Sequence, residues 1–208
     1  MKLFSLLSPT WAIADFVKKK YDRTTVIEVL NSFYLYLSVV SVVGVLVFQK
    51  YWASQENTSI SNALSYAVVY IWSYLLLSRC HEIFWAFLRD AFDKLGDPED
   101  KKSRLGPKDR VRLALKSYLE LVLNFSLLYA LVPATEGMWS SKKFPIQITD
   151  AMYFSGVTIT TLGYGDFSPG HWYPQFLTVY EVFCGFILLI VCFTIYSGIR
   201  SPNKNDYE

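Results

Sequence analysis

Four long stretches of the chain carry no charge, and the charged residues lie between them. Residues 29–49 form a run of 21 positions without Asp, Glu, Lys or Arg, and residues 57–78 a run of 22. Residues 121–135 add 15, or 19 from Ser117 once Glu120 is admitted. Residues 182–199 add 18, and that run continues upstream through Glu181 to about Tyr173. A helix rises about 1.5 Å per residue, so a hydrocarbon core of about 30 Å takes about 20 residues. Each run is therefore expected to be a membrane-spanning helix, and the fold class an all-α membrane protein with four spans. Residues 136–172, between the last two runs, are too polar to cross, yet they enclose an apolar piece, 151–162, too long to leave in water.

The charged segments set the organisation. Residues 1–27 read as an N-terminal segment in which 11–17 lie at the membrane surface as an interfacial helix. A cleavable leader is a poorer reading, because the apolar stretch 3–7 is short and Pro9 interrupts it. Residues 28–96 hold the first two spans, the second continuing past the bilayer as an amphipathic extension over 83–92. Residues 97–110 form a polar linker, 111–200 the second pair of spans with the loop between them, and 201–208 a tail. Lys18, Lys19, Lys20, Arg23, Arg89, Arg110 and Arg112 lie on one side of this arrangement, with few basic residues on the other. By the positive-inside rule both termini are cytoplasmic and 136–172 faces outside, in a multi-pass protein of the plasma membrane.

Composition agrees. Hydrophobic residues make up 52% and charged residues 18%, below the roughly 25% of a soluble domain. Aromatics reach 17%, as suits membrane–water interfaces. This excludes disorder. A net charge of +2 argues against a nucleic-acid partner, and three cysteines among 208 residues exclude a disulfide scaffold. Cys80, Cys184 and Cys192 read as small buried hydrophobes.

The loop carries Thr158-Ile-Thr-Thr-Leu-Gly-Tyr-Gly-Asp166. Thr161-Leu162-Gly163-Tyr164-Gly165 resembles the selectivity-filter signature of potassium channels of the pore-loop family, and residues 153–160 resemble the pore helix before it. The resemblance covers 111 to about 199 and does not extend to the first two spans. It implies a re-entrant pore helix and filter loop between the third and fourth spans. It also implies that potassium is coordinated by the carbonyls of Thr161, Leu162, Gly163 and Tyr164 and by the Thr161 hydroxyl. Carbonyls aimed at one axis need a backbone alternating in hand, which Gly163 and Gly165 allow. One chain supplies one filter strand, so a homotetramer is expected, with membrane lipid around it, K+ as permeant ion and no cofactor.

Around the filter, Thr149 is expected to cap a helix over 149–160 with Asp150 in its first turn. Tyr153 stands where the family has a Trp that bonds the Asp after the filter, so a Tyr153–Asp166 bond is expected. Leu162 replaces the usual Val or Ile, which changes packing behind the filter. Val157 stands where some bacterial members have an acid, so Asp166 needs another partner. Glu181 is expected behind the filter, bonded to pore-helix hydroxyls such as Thr158 or Thr160, because a carboxyl group in a span is costly and usually functional. Gly185, four residues on, resembles the inner-helix glycine at which channel gates bend; it equally suits close packing. By depth, Glu120 pairs with Arg79. Cys80-His81-Glu82 point to different faces of a helix and are not expected to form a metal site.

The reading is a potassium-selective channel without a voltage sensor, since no helix bears Arg or Lys at every third position. No soluble regulatory domain is expected in this chain. The alternatives are a non-selective or ligand-gated cation channel on the same fold, and an accessory membrane subunit. No Ser/His or metal constellation supports an enzyme.

Overall fold

The computed structural model describes residues 8–52, 61–95, 106–132, 137–140 and 147–199. Six helices make up almost all of it: α1 (Pro9–Lys20), α2 (Arg23–Trp52), α3 (Ser61–Leu95), α4 (Pro107–Ala130), α5 (Ile148–Ile159) and α6 (Trp172–Ile199). Three contain segments long and apolar enough to cross a membrane: Arg23–Val47, Lys108–Ala130 and Trp172–Ile190. The described part of the second expected span, 57–78, belongs to α3. The expected tail, 201–208, lies outside the described residues.

Three helix starts depart from the hydropathy pattern, two of them through local capping. Helix α2 starts at Arg23, ahead of the charge-free run, because the Thr25 amide and hydroxyl both donate to Asp22 Oδ2 at 2.9 Å. The expected linker 97–110 ends in helix: Pro107 takes the first position of α4, and Asp109 reaches back to the Gly106 amide at 3.3 Å. Helix α5 is capped at Gln147 and starts at Ile148. Thr149 therefore lies inside the first turn rather than capping it: the helix starts one residue, and its cap lies two residues, earlier than expected. Asp150 keeps its place in that turn.

Helix α4 is the hub and packs against α2, α3, α5 and α6. Its Leu121, Phe125 and Tyr129 are fully buried. In contrast, α2 turns Val29, Phe33, Tyr36, Val40 and Val47 outward. An apolar face of that kind suits lipid.

The face of α4 toward α2 and α3 is polar. Ser117, Glu120 and Asn124 are each buried and repeat at three and four residues, so they share one stripe. Asn31 Nδ2 donates to Ser117 Oγ at 2.7 Å, and Ser38 Oγ donates to Asn124 Oδ1 at 2.7 Å. Both pairs are 86 residues apart, so α2 and α4 run parallel in a seven-residue register. Between them the Arg79 guanidinium from α3 grips Glu120 twice, Nε to Oε1 at 2.6 Å and Nη2 to Oε2 at 3.1 Å. Its Nη1 lies 3.0 Å from Glu82 Oε2. Its flat face lies 4.1 Å from the centre of the Tyr34 ring, a cation–π contact. An Asp90–Arg110 ion pair further along α3 and α4 shows these two helices to be antiparallel.

Helix α1 is tied to α3 through a hydroxyl cluster. Thr10 Oγ1 and Ser78 Oγ are 2.9 Å apart, and Ser8 Oγ donates to the Ser78 carbonyl at 3.1 Å. This buries Thr10 and Ala14 and leaves Ile13 and Phe16 exposed beside Lys18, Lys19 and Lys20.

Candidate functional site: the loop between α4 and α6

The segment between α4 and α6 leaves and returns at one place. The Ser140 amide donates to the Ser168 carbonyl at 2.7 Å, and the Gly170 amide to the Met138 carbonyl at 2.9 Å. Gly170 is required there: a Cβ would lie 2.9 Å from the Gly137 carbonyl oxygen.

Helix α5 hangs from this closure. Its 12 residues rise about 18 Å, too little to cross a bilayer. Ile148, Ala151, Ser155 and Ile159 form one stripe at helical spacing, each at most 2% exposed. After Thr160 the chain folds under the helix end. The Leu162 and Gly163 amides both donate to the Val157 carbonyl, at 2.9 and 3.1 Å.

The backbone from 161 to 165 alternates in hand. Thr161 has φ of 60°, Gly163 50° and Gly165 76°, while Leu162 and Tyr164 are not in this region. The two glycines accept this at little cost. Thr161 is the exception and the one non-glycine residue with positive φ among the described residues. Residues 161–166 are exposed on the single chain, Leu162 and Tyr164 more than half.

The bracing around this strand is aromatic. The Tyr153 ring stacks on Tyr164, with centroids 6.4 Å apart and planes within 3°, and meets Phe167 edge-on at 6.0 Å. The Tyr153 hydroxyl lies near the Asp166 side chain. Asp166 accepts from the Phe167 amide at 3.1 Å.

Glu181 is fully buried behind α5 and bonds a hydroxyl of that helix, though not one of the two named as examples. Oε2 accepts from the Tyr129 hydroxyl at 2.8 Å, and Oε1 is bonded to Ser155 Oγ. Thr158 and Thr160 do not make this bond. Ser155 lies on the buried stripe toward α4 and α6, whereas Thr160 is rotated about 140° from it at about 100° per residue. The Thr160 hydroxyl instead donates to the Gly156 carbonyl at 2.6 Å.

Gly185 lies against the end of α5, where a Cβ would come 2.7 Å from Ile159 Cγ1 and 3.3 Å from the Ile159 carbonyl oxygen. Gly185→Ala is expected to lower stability by about 1–3 kcal/mol through overpacking, read as an earlier thermal unfolding in detergent. A changed gating with unmoved unfolding would instead make the glycine a hinge.

Cys80, His81 and Glu82 diverge. Cys80 enters the core, His81 Nδ1 pairs with the Tyr180 hydroxyl at 2.9 Å, and Glu82 turns to Arg79. Cys184 is buried and free like Cys80, while the side chain of Cys192 lies outside the described ones. Tyr129 and Ser155 were not singled out from sequence. The available signal was that a buried carboxyl needs hydroxyl donors at its own depth.

A family model described as an ion channel matches residues 117–199. No curated protein and no solved structure matches the chain. The matched residues begin within α4 and take in α5, the alternating strand and α6. Residues 117–199 are a pore-loop ion-channel domain, and the chain that carries them is a membrane protein.

Proposed function

We propose that this protein is a potassium-selective channel, conducting passively through a homotetrameric pore. The observation that carries the reading is the alternating backbone of Thr161-Leu162-Gly163-Tyr164-Gly165 on the exposed edge of the chain. In such a strand, carbonyls on one side replace the water that a cation sheds. Residues 161–164 would bind K+ through their carbonyls, with the Thr161 hydroxyl below. A strand exposed on one chain becomes a lined pathway only when further copies surround it, and irregular backbone at membrane depth is tolerated where it lines a water or ion path. Helix α5 then acts as a re-entrant pore helix whose negative end favours a cation below the filter. A Tyr153–Asp166 bond braces the outer mouth.

In the same reading the chain crosses the plasma membrane four times, with α1 and both termini on the cytoplasmic side. Arg79, buried between two carboxylates, is a structural charge rather than part of a voltage sensor.

The test is flux from liposomes containing the purified protein, with the reversal potential measured in mixed potassium and sodium. A reversal potential following the potassium gradient, with block by barium, is expected. Equal permeability would make the protein a non-selective cation channel on the same fold. Absence of flux from a well-folded protein would make it an accessory subunit.

A further inference from the structure

Among the described residues two glutamates are fully buried, in opposite surroundings. Glu120 is held by the Arg79 guanidinium. Glu181 is as fully buried, and among the described residues it forms no ion pair. The groups that face it are neutral: Tyr129 and Tyr118 from α4, Ser155 from α5, Cys80 from α3, and Cys184 from its own helix. Arg79, next to Cys80, directs Nε, Nη1 and Nη2 to Glu120 and Glu82. Because Glu181 is already 0% exposed on the single chain, a neighbouring copy or a lipid headgroup cannot reach it. An isolated carboxylate there would be strongly penalised.

Ser155 Oγ touches two acceptors, Glu181 Oε1 and, at 3.0 Å, the Val122 carbonyl. A hydroxyl has one proton. If Glu181 were ionised, that proton would go to the carboxylate, leaving two oxygen lone pairs opposed across the Val122 contact. A protonated Glu181 resolves this. Tyr129 O–H donates to Oε2, Glu181 O–H to Ser155 Oγ, and Ser155 O–H to the Val122 carbonyl, which also takes the Ser126 hydroxyl at 2.5 Å.

We propose that Glu181 is a neutral carboxylic acid at neutral pH, and that its proton completes a chain Tyr129–Glu181–Ser155–Val122 fastening α5 to α4 and α6 behind the filter. Removing the proton places an uncompensated charge beside α5 and breaks the bond order of the chain, so alkalinisation loosens the filter's support and shuts conduction. The consequence for conduction rests on the channel reading; the protonation itself does not.

The test is the infrared difference spectrum of wild type and E181Q in lipid at neutral pH. The variant is expected to lose a carboxylic-acid carbonyl band and leave the carboxylate bands unchanged. Loss of carboxylate bands instead would overturn the proposal. Should E181Q not fold, S155A takes its place: it removes the acid's acceptor and is expected to shift the same band, and an unmoved band would overturn the proposal. In flux measurements, the ratio of alkaline to neutral flux is expected to collapse in wild type and to flatten in E181Q. An E181Q profile that tracks wild type refutes the regulatory step. A wild type without flux refutes the channel reading, while the spectrum still decides the proton.

Discussion

Arg79→Met is expected to lower the stability of the folded chain by about 3–5 kcal/mol, the usual loss when one partner of a buried ion pair is removed. Three nitrogens of this guanidinium face two carboxyl groups, on Glu120 and Glu82, both nearly or wholly buried. Methionine fills much of the same volume and cannot donate. Glu120 would be left without a counter-charge at the junction of α2, α3 and α4. The Tyr34 ring would also lose the cation on its face, and with it one of the ties that hold α2 in register with α4. Denaturant titration of helicity in detergent reads the loss. Arg79→Met with Glu120→Gln is expected to recover more than half of it, because both charges of the principal pair are then gone. An undiminished stability in the single variant would show that the pair does not hold α3 to α4. No recovery in the double variant would assign the loss to packing.

That pair was legible in the sequence, and the reason is physical. A charge in an apolar run has few tolerable neighbours, so depth alone brings Arg79 to Glu120. Charge-free length located α2, α4 and α6, because the membrane requirement acts on whole segments. Helix starts were less legible. At α2 and α4, Asp22 and Gly106-Pro107 set them through local hydrogen bonds that hydropathy does not register. The partners of Glu181 were missed for a different reason. Choosing among Ser155, Thr158 and Thr160 requires knowing which face of α5 turns to α6. The positive φ of Thr161 was hidden as well. The alternation begins two residues before the first glycine, at a side chain that gives no sign of it.

If the chain is the potassium channel proposed above, Gly163→Ala is expected to abolish potassium-selective flux while leaving the helical bundle and the tetramer intact. Gly163 has φ of +50°, a region in which a Cβ costs roughly 1–2 kcal/mol. Nothing lies within 4 Å of the position that Cβ would take, so the penalty is one of backbone conformation rather than of collision. The strand relieves it by returning residue 163 to negative φ, which turns the neighbouring peptide groups and their carbonyls away from the axis. Four chains would share that distortion. The summed penalty is about 4–8 kcal/mol, enough to depopulate the conducting form heavily. A binding site short of oxygens cannot replace the water that the ion must shed, and selectivity is lost with the coordination. Folding is expected to survive, because helices satisfy their own backbone bonds at membrane depth and residues 161–166 lie on the exposed edge of the chain. Size-exclusion chromatography and liposome flux read the two halves of this expectation. A tetramer that still passes potassium in preference to sodium would remove Thr161–Gly165 as the filter. A chain that no longer assembles would show that the strand also holds the subunits together, and the milder Thr161→Ser, which keeps a hydroxyl at the lowest site, would then separate assembly from coordination.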